Sequence, residues 1–221
     1  MNFVRPLIGV ILLGPGVARG QISVPAEAPA AAKPIAFHDA KYGVRFVVPA
    51  GWSFDRKDHL VSTFHVDARS AGPKAQMRGV AAMNFNPFPE STLSGAWFYF
   101  SVQPHTSDGE CARQASRAGA AHGAEEIGGM EFRHGHDERG GMCVESRNDV
   151  YTAYHKGSCY RFDLDVGTFC AISSGAREIN ERQLEEIHLR LDGMLKSVVL
   201  DWMPVRPAAK VEGVERRPLP E

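Results

Sequence analysis

His134-Gly135-His136-Asp137-Glu138 is the densest run of metal-ligating side chains in this 221-residue chain. On a strand, His134 and His136 point to the same face roughly 6.5–7 Å apart, a span that one metal ion can bridge. A stable site needs a third and usually a fourth ligand, which His122 or His155 supplies only where the fold brings it near. The spacing alone provides two ligands, so the run reads first as a solvated strand end entering the turn Arg139-Gly140-Gly141. On that reading no catalytic residue, cofactor-binding residue or metal ligand is assigned. The competing reading is a secreted metal-dependent hydrolase using His134 and His136.

The four cysteines, Cys111, Cys143, Cys159 and Cys170, are separated by 31, 15 and 10 residues, with no C-x-x-C knuckle of the kind that holds zinc. An even number in an exported chain reads first as two disulfides, with buried thiols as the other possibility. Three connectivities exist. A three-residue hairpin loop between strands near 154 and 160 puts Cys170 opposite Val144. A shift by one residue makes Cys143 its diagonal neighbour, roughly 7 Å away. Cys159 and Cys170 lie eleven residues apart, about 36 Å along an unbroken strand, which forbids a direct bond. The geometry leans to Cys143 with Cys170 and Cys111 with Cys159.

Other chemistry is missing from the pattern. The chain has no serine-hydrolase elbow, no phosphate-binding or dinucleotide glycine loop, no paired-histidine zinc helix and no calcium loop. Ser173-Ser174-Gly175 reads as loop and capping material. Lys and Arg number 25 against 26 Asp and Glu, so nothing in the charge selects nucleic acid as a partner. The expected partner is an unidentified protein or a small ligand.

Residues 1–20 have the order of a secretory signal peptide: Arg5, the apolar run Leu7–Leu13, then small residues ending Ala18-Arg19-Gly20. Gly14, Pro15 and Gly16 end the apolar run far short of the roughly 20 residues that span a bilayer, so no stable anchor is expected after cleavage. The expected location is exported, periplasmic or extracellular. Loss of Arg5 and Arg19 leaves 23 basic against 26 acidic residues, a net charge of −3. Residues 21–34 form an Ala/Pro-rich linker, 35–202 a single domain, and 203–221 a Pro-rich tail too polar to offset its ordering entropy.

Within the domain, Val44, Phe46 and Val48 alternate on a strand that Pro49-Ala50-Gly51 reverses into another from Trp52. Residues 59–67 and 79–85 read as further short strands. Ala96–Val102 is apolar without alternation, so it is buried on both sides and each sheet face needs a cover. One cover is a helix from Ser107-Asp108-Gly109-Glu110, a capping box, to about His122, with Cys111, Ala115, Ala118 and Gly119 inward. The other starts near Asn180 and carries Leu184, Ile187, Leu191, Leu195 and Val198 at spacings of three and four. Strands through Phe132, through Val150–Tyr154 and through Tyr160–Val166 complete the sheet, with Asp163 and Asp165 on a solvent face. The fold class is α+β, an antiparallel sheet with helices on both faces.

The segment Tyr42-Gly43-Val44-Arg45-Phe46-Val47-Val48-Pro49-Ala50-Gly51-Trp52, together with the closing Leu195-Lys196-Ser197-Val198-Val199-Leu200, resembles the PsbP-like family. That family is related to an extrinsic subunit of photosystem II and to Ran-binding Mog-type proteins. The resemblance implies an α/β/α sandwich and a noncatalytic role as partner of larger assemblies. It carries over no functional residue, and the four cysteines and Phe132–Gly141 have no counterpart in it.

Overall fold

A computed structural model describes residues 32–56, 75–117, 120–141, 143–171 and 175–204. They form an antiparallel β structure with two helices. A three-stranded sheet joins β1 (Ile35–Asp39), β2 (Val44–Val48) and β10 (Val199–Leu200) in the order β1-β2-β10. The other strands are β3 (Trp52–Asp55), β4 (Gln76–Met83), β5 (Leu93–Pro104), β6 (Ala120–Ile127), β7 (Met130–Gly141), β8 (Val144–His155) and β9 (Ser158–Phe169). They make a seven-stranded sheet in the order β3-β4-β5-β9-β8-β7-β6. Helix α1 spans Asp108–Arg117 and α2 spans Glu181–Lys196. Among the described residues no helix is long and apolar enough to cross a membrane.

Alternation explains the core. Phe98 and Phe100 of β5 and Phe162 and Leu164 of β9 share one side of the large sheet and are at most 1% exposed. Phe37 and Phe46 of the small sheet close onto them, with the Phe46 ring 5.2 Å from that of Phe98. Ile187, Leu191, Met194 and Leu195 of α2 join the same cluster. Each such buried side chain contributes roughly 1.5–3 kcal/mol. The start of α2 is fixed by a reciprocal cap: the Gln183 backbone N–H donates to the Asn180 side chain, and the Asn180 backbone N–H to the Gln183 side chain. Burial of Phe98 and Tyr99 alike confirms that β5 is covered on both sides, although β9 is the middle strand.

Helix α1 is shorter than its composition predicts. The backbone N–H of Glu110 donates to the Ser107 hydroxyl, one half of the expected box, but by Ala120 the chain is in β6. Residues 118 and 119 lie outside the described ones. Small residues allow close approach: a Cβ at Gly135 of β7 would run into the Ala115 carbonyl oxygen. Cys111 and Ala115 are buried.

Two expectations need correcting. The β8–β9 turn is Lys156-Gly157, both with positive φ (45° and 78°), a two-residue hairpin rather than a three-residue loop. The register therefore places Tyr154 opposite Cys159 and Ala153 opposite Tyr160. Nor do Asp163 and Asp165 face solvent; they are 5% and 2% exposed. Arg161 forks onto Asp163, the Asn148 amide donates to Asp163, and the Ser146 hydroxyl donates to Asp165. Residues 1–31, the strand expected at 59–67 and residues 205–221 lie outside the described ones; Met203 packs against the core.

Candidate functional site

With the corrected register, Cys143 and Cys170 stand next in the β8–β9 ladder, and the Cys170 N–H donates to the Cys143 carbonyl. They are bonded, with Cα atoms 4.7 Å apart. Cys111 and Cys159 are bonded at 5.3 Å and tie α1 to the start of β9. Both ends of β9 are thus clamped by disulfides, and no free cysteine remains.

Between those clamps lies the histidine run. It sits in the body of β7, not at a solvated strand end, because β7 and β8 continue pairing out to Gly141 and Val144. His136 is directly opposite Asp149 and His134 directly opposite Tyr151. His134 Nε2 and His136 Nδ1 both stand 2.9 Å from the same oxygen, Oδ1 of Asp149. The His134 ring stacks on Tyr151 with centroids 4.4 Å apart and planes 6° from parallel. From α2, His188 brings Nδ1 to 3.7 Å from the other Asp149 oxygen. Glu138 reaches His136 Nε2 at 3.3 Å and is in turn met by Arg147 at 3.5 Å.

Electrostatics follow from this crowding. Burial alone lowers the His136 imidazole, but the hydrogen bond to Asp149 and the charges of Asp149 and Glu138 outweigh it and raise it overall. Both of its ring nitrogens face carboxylate oxygens, which an imidazolium donating from each satisfies. Burial raises Asp149, and the hydrogen bonds from His134 and His136 outweigh that, so its carboxyl is held below the ordinary range. Burial, then the charges of Asp149, Glu125 and Asp192, push the Tyr151 phenol well up. The cluster is half-buried, with His134, His136 and His188 side chains 20–28% exposed and Asp149 18%.

Of the ligands considered from the sequence as a third, His155 does not join the pair. His155 stacks on Trp202 at 4.7 Å, and the His122 side chain is outside the described residues. Asp149 and His188, which do join it, were missed. Asp149 reaches the pair through strand register, because β7 and β8 pair with Gly141 against Val144 and so set Asp149 opposite His136. Among the described residues, no three of these side chains as they stand could hold a metal ion. The crevices beside Ser91 and Arg177 (about 360 Å³) and beside Val47 and Leu189 (about 480 Å³) contain none of these histidines.

No family model and no curated protein matches the chain. Solved structures do. Cyanobacterial PsbP from a Synechocystis species matches with a TM-score of 0.45 and 14% identity over 79% of this chain and 97% of that one. LpqN of Mycobacterium tuberculosis, involved in cell envelope biogenesis, matches with 0.40 and 10% over 76% and 91%. A Bacteroides thetaiotaomicron protein matches with 0.42 and 10% over 76% of this chain, which spans only 48% of that one. At these scores the likenesses assign neither a family nor a role.

Proposed function

We propose that this chain is an exported, noncatalytic binding or accessory module that acts through a protein partner or a small ligand. One observation carries the reading: disulfides clamp both ends of β9, and a half-buried histidine–carboxylate cluster is presented between them on the adjoining strands. Paired cysteines suit an oxidising compartment. A clamped sheet suits presentation of a fixed surface, and the cluster's imidazoles are turned onto carboxylates within the cluster. Strand alternation supports an α/β/α sandwich of the PsbP-like kind, since Gly135 under α1 and His134 and His136 near α2 have opposite parity on β7.

The test is expression of the full chain in a host with a secretory pathway. The module predicts an exported product beginning at Gln21, with two disulfides by mass mapping. It also predicts no turnover of ester, phosphoester or peptide substrates with added zinc. Turnover abolished by His136→Ala would overturn it.

A further inference from the structure

We propose that His134, His136 and Asp149, joined by His188 from α2, form a binding site for a divalent transition-metal ion of the zinc class. The site does not depend on the module reading, because an ion can be held there whether or not the chain has a partner.

Three imidazoles and a carboxylate on three elements are the donor set that borderline-soft ions take. Metal–ligand bonds of about 2.0–2.2 Å place two donors on one ion roughly 2.9–3.4 Å apart, depending on the angle between them. His134 Nε2 and His136 Nδ1 already stand 2.9 Å from Asp149 Oδ1. His188 Nδ1 stands 3.7 Å from the other carboxylate oxygen, Asp149 Oδ2, so its side chain must move to bring a fourth donor to an ion held at Oδ1. The donors now converge on each other through shared protons. An ion entering the site displaces those protons to water and takes over the same lone pairs, the exchange that couples metal affinity to pH. Solvent reaches the cluster, since its side chains are 18–28% exposed, so entry needs no opening of the core.

Two further features suit a cation. The carboxylates of Glu138, Glu125 and Asp192 act on the cluster or on the tyrosine beside it, and the cation among its described ion-pair partners is Arg147. The frame is also stiff: His134 is stacked on Tyr151, and β7 is paired on both edges. Rigid placement of ligands on strands rather than loops is what a metal site requires. The pairing in β7 supplies His134 and His136 on one side with period two, β8 delivers Asp149 opposite His136, and α2 brings His188 over them.

The experiment uses full mature protein purified without a histidine tag and stripped with EDTA. Zinc chloride, copper sulfate and nickel chloride are titrated at pH 7.5 by calorimetry. One ion bound per chain is expected, with His134→Ala, His136→Ala and Asp149→Asn each weakening zinc by at least about tenfold and His188→Gln by less. Thermal unfolding in EDTA shows whether each variant is folded. Should one fail to fold, imidazole proton resonances of the wild-type chain under substoichiometric zinc provide the same decision. Shifts confined to His134, His136 and His188 support the site. Absence of uptake at about 100 μM free zinc, equal affinity in the folded variants, or shifts at other histidines would overturn it.

Discussion

Asn148 and Asp149 are neighbours in β8, yet they belong to polar clusters of opposite physical character. Asn148 is 1% exposed and donates to Asp163, which also takes the Arg161 guanidinium; Arg161 is itself 1% exposed. Asp149 is 18% exposed and gathers three histidines that solvent can reach. In the first cluster every charge has been removed from water, so its partners are obligatory. In the second, water remains an alternative partner and the same donors can be exchanged for a ligand. The comparison separates polar groups that hold the frame from polar groups that the frame holds out.

The largest effect should come from breaking the buried cluster. Arg161→Met leaves the Asp163 carboxylate buried without its cation, and removal of one partner from a buried pair costs about 3–5 kcal/mol. Urea unfolding of the oxidised protein measures this. A loss under about 1 kcal/mol would mean that Asp163 is reached by water and that the two clusters do not differ in kind.

The disulfides give the next effect and divide along the same line. Replacing both members of either bridge by alanine should cost about 2–4 kcal/mol, and Cys111–Cys159, spanning 48 residues against 27, should cost about 0.5 kcal/mol more on chain entropy alone. Cys111 and Cys159 are fully buried, whereas Cys143 is exposed. Mild reductant with thiol trapping should therefore open Cys143–Cys170 first. The reverse order would show that the α1 end of β9 opens more readily than its packing implies.

Gly135 tests the border between the regions, because it lies between His134 and His136 while α1 rests on its backbone. Gly135→Ala has no room beneath the Ala115 carbonyl, so α1 must lift. An overpacking cost of about 1–3 kcal/mol is expected by thermal unfolding. A neutral result would show that α1 docks loosely.

Legibility in the sequence follows local pattern. Helix α2 could be read because Ile187, Leu191 and Leu195 repeat at helical spacing, and β9 because Tyr160, Phe162 and Leu164 alternate. Strand β6 could not, since Ala120–Ile127 has alanine, glycine and glutamate without alternation, and small residues there extend a helical reading of α1. Asp163 and Asp165 were misread because a polar face alternates identically whether water or Arg161 lies against it. The cysteine pairing came out as expected on a wrong register: the two-residue turn at Lys156-Gly157 makes Cys143 and Cys170 direct rather than diagonal neighbours. Half of the histidine cluster was legible, as His134 and His136 share a face by period two. Asp149 and His188 depend on strand register and on helix docking, which no local spacing encodes.

The smallest effect is the pH dependence of the half-buried cluster, and its sign follows from the two shifts. His136 is raised in the folded chain, so its contribution to stability is fully present below the ordinary imidazole value of 6.5 and is lost as pH rises through the raised one. Asp149 is lowered, so its contribution is present above the ordinary carboxyl value of 3.8 and is lost as pH falls through the depressed one. The two overlap between those ordinary values. Asp149→Asn, compared with wild type in EDTA, should therefore show its largest loss of melting temperature near pH 5 and a shrinking loss by pH 8.5. Partial exposure keeps the effect to about 0–1 kcal/mol, a few degrees at most for a domain of this size. A difference that is flat with pH would mean that His136 and Asp149 are not coupled through charge, and would place the cluster with the fixed polar frame around Asn148.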